Sequence, residues 1–455
     1  MKKVIIIGGN AAGLSAASQI KRAHTNWHVK VFEKTEEVSY ASCGIPYYVQ
    51  GKIMDPNHLF ALTPDKLTWS RGIDLHLNTE IIGVDPEASQ VSVKNKDGTI
   101  TEEIFDYLVI ATGTHPDAKG VEVNSKRVFS VQYIGDGKTI KDAVARFNPK
   151  KVGVVGGGYI ALEMAETFKN LGIDTTLIHR RNQINRMFEP EISDQALTYL
   201  EQNGIHLELN TEIKKMTDAT YNHKVILETI RGKQLSFDLV IQAIGVSPNT
   251  KFLENSGIEL GVNHTIKVSR YLQTNYPNIY AAGDAVETID LISGKPIFVP
   301  LALKANKEGS IAGTNIAAEE NQEMFPGVVK SAILKIFDRG IARTGLTLEE
   351  AEKNGFEAEK VIIETSTKPG YYPGSQKITF YVIFDKGTGK LLGCQIFGPV
   401  PDIKRIDTMA ALLQAGQTVN DLYHLDAAYA PPFSPVYDPL VLAGRVSRKT
   451  WQKNK

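Results

Sequence analysis

The chain is poor in sulfur: its 455 residues hold two cysteines, Cys43 and Cys394, 351 positions apart. That excludes a disulfide framework and fits a reducing compartment. The two form neither a C-x-x-C nor a C-x-x-x-x-C pair. No Cys/His cluster has zinc spacing, so no metal is expected. No run of 18 apolar residues occurs, which argues against a transmembrane helix. Net charge is absent as well, with 51 Lys and Arg against 51 Asp and Glu. General affinity for nucleic acid or anionic membrane is therefore not expected. Met1-Lys2-Lys3 runs straight into an apolar strand without the longer apolar stretch of a signal peptide, so a cytoplasmic protein is expected.

What is present is an ordinary globular composition, 42% hydrophobic and 22% charged, in a length that fits roughly three domains. Val4 to Ile7 reads as a short buried strand. Gly8-Gly9-Asn10-Ala11-Ala12-Gly13 follows, then a helical pattern to Ala23, then the strand Val29 to Phe32. Glu33 closes that strand 20 residues past Gly13, with Lys34 beside it. Strand, glycine turn, helix, strand and acid form the dinucleotide-binding plan. The glycines let the backbone approach a pyrophosphate, the helix N-terminus stabilises its charge, and Glu33 accepts from ribose hydroxyls. Asn10 departs from the pattern by standing where the middle glycine usually falls.

Ser39-Tyr40-Ala41-Ser42-Cys43-Gly44-Ile45-Pro46-Tyr47-Tyr48 comes next. A cysteine so close to a dinucleotide unit is expected beside a bound flavin. At the start of a helix it would feel the positive end of the helix dipole, which favours the reactive thiolate. Cys394, inside an apolar strand, reads as structural.

The plan repeats 148 positions on, with Gly156 matching Gly8. Val152 to Val155 is a strand and Gly156-Gly157-Gly158-Tyr159-Ile160-Ala161 the turn. The strand Thr175 to Ile178 ends in His179-Arg180-Arg181 instead of an acid. Arginine pairs with a 2′-phosphate that an acid would repel, so NADPH is expected over the alternative, NADH. Between the repeats, Tyr107 to Ile110 reads as a buried strand ending in Ala111-Thr112-Gly113. Phe237 to Ile244 reads as another strand. Gly283-Asp284 follows a strand, and Asp284 is placed to bond a ribityl hydroxyl. Gly309 and Gly313 lie in a helix from about Leu301 to Ala318 and permit close packing or approach to a ligand.

After Pro326 the pattern becomes antiparallel strands with helices, an α+β domain. It carries the loops Tyr371-Tyr372-Pro373-Gly374 and Tyr429-Ala430-Pro431-Pro432-Phe433, which suit an interface. The expected fold class is α/β, two Rossmann-like domains with one inserted in the other, plus this C-terminal α+β dimerisation domain. The expected boundaries are 1–117 with 248–325 for the first unit, 118–247 for the inserted one, 326–447 for the C-terminal domain and a disordered tail at 448–455.

These motifs together resemble the flavoprotein disulfide reductases that bind two dinucleotides. The lone cysteine in Ser-Cys-Gly-Ile-Pro-Tyr is similar to the branch of coenzyme A disulfide reductases, NADH oxidases and peroxidases, and persulfide reductases. Ala11 stands where the oxidases and peroxidases carry a histidine, and the Thr176-Leu177-Ile178-His179-Arg180 strand end resembles NADPH-using coenzyme A disulfide reductases. The resemblance implies FAD on the first unit, NAD(P)H on the inserted one and dimerisation through the C-terminal domain. It implies FAD, NADPH and coenzyme A as redox partners, a small-molecule disulfide substrate and a homodimer. It implies Cys43 as the redox thiol, assisted by Tyr371 and Tyr429 of the partner subunit. It implies Ser15, Gln19, Arg22, Ser39, Ser42 and Arg71 as coenzyme A contacts. Ser42 stands where asparagine is common and Tyr437 where a lysine is expected. A persulfide reductase, an oxidase and an electron-transfer flavoprotein are the alternatives.

Overall fold

The computed structural model describes residues 1–453 apart from 185, 220–222 and 321. Val4, Ile5 and Ile6 have no exposed surface. A strand buried on both faces suits the centre of a parallel sheet. Lys3–Ile7 is that centre, and the order is Ile279–Ala281, Tyr107–Ile110, Lys3–Ile7, His28–Phe32, Asp74–His76. All of its pairings are parallel.

The second glycine motif sits at the centre of an equivalent parallel sheet. Its order is Val128–Phe129, Leu239–Gln242, Lys151–Val155, Asp174–Ile178, His206–Glu208. The chain leaves the first unit along Thr114–Pro116 and returns along Val246–Pro248, and these two crossings pair antiparallel. One Rossmann unit is thus inserted between the fourth and fifth strands of the other.

Phe237 to Ile244 is not one strand. Gln234–Phe237 belongs to an antiparallel layer and Leu239–Gln242 to the parallel sheet. Asp238 makes the break, because its carboxylate accepts the backbone N–H groups of Lys150 and Lys151 at 2.8 and 2.9 Å.

The helix Ala302–Ala318 lies against the first helix, Ala11–Ala23. A Cβ on Gly309 would stand 2.1 Å from the Ala12 carbonyl oxygen, and one on Gly313 2.6 Å from that of Ala16. The two glycines are what let the backbones meet.

The C-terminal region is a five-stranded antiparallel sheet, ordered Ala332–Ile336, Arg339–Gly345, Leu391–Pro399, Lys377–Asp385, Ala358–Ser366. Arg343, 1% exposed, ties it to the inserted unit by donating to the Met187 carbonyl at 2.6 Å. The expected disordered tail is corrected: Lys449 to Lys453 complete the helix Pro439–Lys453. Trp451 anchors it by donating its indole N–H to the Lys386 carbonyl at 3.0 Å and packing over Gly389. Residues 454 and 455 lie outside the described residues. Among those described, no helix is long and apolar enough to cross a membrane.

Candidate active site

Both glycine turns and Cys43 open into one cavity of about 1860 Å³. Its wall includes Gly8, Gly9, Ala11, Ala12, Glu33, Lys34, Ser42, Cys43, Ala111, Thr112, Gly113, Gly283 and Asp284 from the first unit. Gly158, Tyr159 and Ile160 come from the inserted one. Gly13 and Gly156 stand behind the wall. A Cβ on Gly13 would meet the Gly8 oxygen at 2.0 Å, and one on Gly156, at φ +143°, the Ala243 oxygen at 2.2 Å. Asn10 fits because its φ of −119° is ordinary extended backbone.

The residues fit a dinucleotide. Glu33 is held by the Gly9 N–H on Oε2 at 2.9 Å and by the Thr35 N–H and hydroxyl on Oε1 at 2.9 and 2.8 Å. Asp284 is half-buried, and its Oδ1 is buried without a hydrogen-bond partner among the described residues. Such an acceptor asks for a donor from a ligand. Among the described residues no group of three or more His, Cys, Asp or Glu could hold a metal ion.

Cys43 lies in the one-turn segment Ser42–Gly44, ahead of the five-residue helix Ile45–Val49. The residue is exposed to the cavity, yet burial among its neighbours, then the carboxylates of Glu163 and Asp284, hold its thiol above the usual value. The Ser42 hydroxyl pulls the other way. Burial and two nearby acids thus act against the lowering expected from a helix start, and the helix that follows is only five residues long.

Glu163 is the residue that sequence reasoning missed. It sits one turn into the helix Tyr159–Asn170, lines the cavity, and accepts from the Tyr47 hydroxyl at 3.4 Å. Burial pushes its carboxyl up to about 7, against the pull of Tyr47. Position on a nucleotide helix gave no hint that it would face the cysteine. Its influence has a clear sign: a neighbouring negative charge disfavours thiolate. Glu163→Gln is therefore expected to lower the Cys43 pKa and speed its alkylation by iodoacetamide several-fold above neutral pH. Peptide mapping after dithiothreitol treatment reads the rate, and an unchanged rate would show that Glu163 does not act on the thiol.

At the end of Asp174–Ile178, the His179 ring packs on Gly157, where an added Cβ would lie 2.8 Å from it. Burial, then Arg180, holds the imidazole below its ordinary value. The positive charge at this strand end is thus carried by Arg180 and Arg181. Among the described residues neither has a carboxylate partner within ion-pair distance, and Arg180 is exposed.

Ser15 and Gln19 reach from the first helix to Asn306 and Ser310, at 3.1 and 2.7 Å. Arg71 donates to Ser18 Oγ at 2.6 Å, one turn before the exposed Arg22. Ser39 is buried at φ +58°, with its Oγ accepting from the Leu62 N–H at 3.2 Å. Tyr371 and Tyr429 come together, hydroxyl to hydroxyl at 3.4 Å, and both are exposed. Neither lines the cavity into which Cys43 of the same chain opens.

The geometry agrees with what the chain is similar to. Residues 2–305 match the family model described as pyridine nucleotide-disulphide oxidoreductase. Residues 331–440 match the dimerisation domain of that family. The chain is 42% identical over 447 residues to the NAD(P)H coenzyme A polysulfide/persulfide reductase of Pyrococcus horikoshii, covering 98% of each. It is 32% identical over 445 residues to the coenzyme A disulfide reductase of Staphylococcus epidermidis, covering 98% of this chain and 99% of that one. A solved NAD-dependent persulfide reductase from A. fulgidus superimposes with a TM-score of 0.94 at 32% identity, over 99% of this chain and 84% of that one. With two Rossmann units, one inserted in the other, and a C-terminal dimerisation domain, the chain belongs to the pyridine nucleotide-disulphide oxidoreductase family.

Proposed function

We propose that this chain is an FAD-dependent NAD(P)H reductase that breaks a sulfur–sulfur bond of coenzyme A through Cys43. One observation carries the reading. Cys43 opens between two dinucleotide cradles, while the other cysteine, Cys394, is wholly buried in the C-terminal sheet. A redox thiol with no protein partner needs the second sulfur from its substrate.

The first glycine turn would hold FAD, with Glu33 placed for its ribose and Asp284 for its ribityl chain; when bound, the group would supply two-electron transfer between nicotinamide and sulfur. NAD(P)H docks on Gly158, Tyr159 and Ile160, with Gly156 shaping the turn behind them and Arg180 and Arg181 at its ribose. Cys43 alternates between thiolate and a mixed disulfide with coenzyme A. The thiolate attacks the coenzyme A sulfur of the substrate, and the outer sulfur leaves with the bond's electron pair. From a coenzyme A persulfide the leaving group is HS⁻; from coenzyme A disulfide it is a second coenzyme A thiolate. Reducing the mixed disulfide frees coenzyme A as the thiol, so each cycle consumes one NAD(P)H, and one proton once the leaving sulfur is protonated. Arg22 and Arg71 hold the phosphates of coenzyme A, and Ser15, Gln19 and Ser42 line its path; the buried Ser39, engaged by the Leu62 N–H, supports the loop instead of touching the ligand.

Tyr371 and Tyr429 protonate the leaving sulfur from the other subunit of a homodimer. That role is supported by their exposure, their mutual contact, and their place on a domain that matches the family's dimerisation module. The sequence alone put coenzyme A disulfide ahead of persulfide. The relative at 42% identity is named for persulfide and polysulfide, the one at 32% for coenzyme A disulfide, which favours the persulfide. Anaerobic turnover with each substrate at matched concentration separates them. The expected result is a higher kcat/KM for the persulfide, with one sulfide released per NAD(P)H. Oxidation of NAD(P)H only in the presence of oxygen would overturn both.

A further inference from the structure

The helix Ala302–Ala318 buries an ion pair whose lysine lines the cavity. Lys304 and Glu308 are 3% and 0% exposed, and Lys304 Nζ stands 3.0 Å from Glu308 Oε2. The pair grips both polar groups of one residue. Lys304 donates to the Gly283 carbonyl at 2.8 Å, and the Gly283 N–H donates to Glu308 Oε2 at 2.9 Å. Gly283 is held at φ +87°, and a Cβ there would lie 2.9 Å from the Ala12 side chain. The next residue is Asp284, whose carboxylate also accepts the Leu301 N–H at the head of the same helix.

Two oxygens of this cluster, Asp284 Oδ1 and Glu308 Oε1, are buried without a hydrogen-bond partner among the described residues. Lys304 and Asp284 line the cavity. Stability does not account for the pair, because replacing a buried ion pair by apolar side chains is often neutral or stabilising. Here one ammonium serves two carboxylates, so its removal leaves uncompensated negative charge at the cavity wall.

We propose that Lys304 and Glu308 are positioning residues for the flavin: they fix the Gly283–Asp284 turn that receives it and set its reduction potential by their charge balance. The inference rests on the reading that FAD occupies this cavity. Two-electron reduction adds negative charge to the flavin at neutral pH, so a nearby cation favours the reduced form and a bare carboxylate disfavours it.

The test is the two-electron potential of the flavin-loaded protein, measured against a dye couple, with flavin content and thermal midpoint alongside. It is run well above pH 7, since burial pushes Glu308 up to about 7 against the pull of Lys304. Lys304→Met is expected to shift the equilibrium against reduction about tenfold, roughly 30 mV for two electrons. Glu308→Gln keeps the acceptor for Gly283 and removes the charge, so it is expected to shift the potential up by a similar factor. The double variant is expected within about twofold of the wild type. Opposite signs in the single variants are a signature that a merely structural pair would not give. If Lys304→Met does not fold, the nearly isosteric Glu308→Gln decides by its sign alone. Flavin bound with both single variants within about twofold of wild type, or shifted the same way, would overturn this inference alone. A wild-type protein that neither carries nor takes up flavin would overturn the functional reading with it.

Discussion

Cys43→Ser is expected to retain flavin and nucleotide and to lose NAD(P)H-dependent reduction of sulfur–sulfur bonds by at least about 10³-fold in kcat. Serine keeps the size of the side chain but forms no disulfide, so the covalent step disappears. Cys394→Ser is expected to turn over within about twofold of the wild type. Cys394 has no exposed surface, packs within the core of the C-terminal sheet, and is absent from the cavity wall. Burial also pushes its thiol far above the ordinary value. Its replacement buries a hydroxyl, so the cost should fall on the thermal midpoint and not on the rate. Steady-state rates for the two variants separate the roles. Comparable losses would make Cys394 a resolving thiol and remove the need for a sulfur supplied by the substrate.

Arg180→Glu is expected to reverse the choice of nucleotide. A 2′-phosphate carries nearly two negative charges, and a bidentate arginine contact is worth roughly 1.5–3 kcal/mol. Loss of that contact corresponds to about one to two decades in affinity. The arginine is exposed and, among the described residues, has no carboxylate partner to release. Glutamate there adds repulsion against the phosphate and offers an acceptor to a plain ribose. KM for NADPH should rise sharply while NADH binds equally or better. Rapid reduction of bound flavin by each nucleotide isolates this step from the sulfur chemistry. Equal reduction of the unmodified protein by both nucleotides, or a preference for NADH, would leave the two arginines as solvated surface.

How much of this could be read in advance depends on the range of the interaction involved. Gly8, Gly13 and Gly156 were legible because strand, turn and helix follow one another in sequence, although Ala111 and Ala243, each at the end of a neighbouring strand, also press on Gly8 and Gly156. A turn between strand and helix admits no Cβ at those points, and the residue type records it. Gly309 and Gly313 were legible as points of close approach to a neighbour or a ligand; that the neighbour is the first helix, at Ala12 and Ala16, was not. The two arginines at 180 and 181 were legible by their place at a strand end. Resemblance singled out Tyr371 and Tyr429, but their mutual contact was not foreseen, since 58 residues of chain separate them and no periodicity relates them. The break at Asp238 was hidden because its carboxylate answers backbone groups at Lys150 and Lys151, far away in sequence. Lys304 and Glu308, four residues apart, would be an ordinary pair on a solvent-facing helix. Only the close seat on the first helix turns that face inward. Glu163 was invisible for a related reason: its effect on Cys43 arises where two separate units meet across the cavity.

Intact mass of the purified protein, denatured without reductant and again after dithiothreitol, tests the central claim most directly. The account predicts one coenzyme A per chain as a mixed disulfide on Cys43, released by the reductant and absent from Cys43→Ser. An increment of oxygen alone on Cys43, or a chain that carries no thiol adduct even after incubation with coenzyme A disulfide, would contradict it.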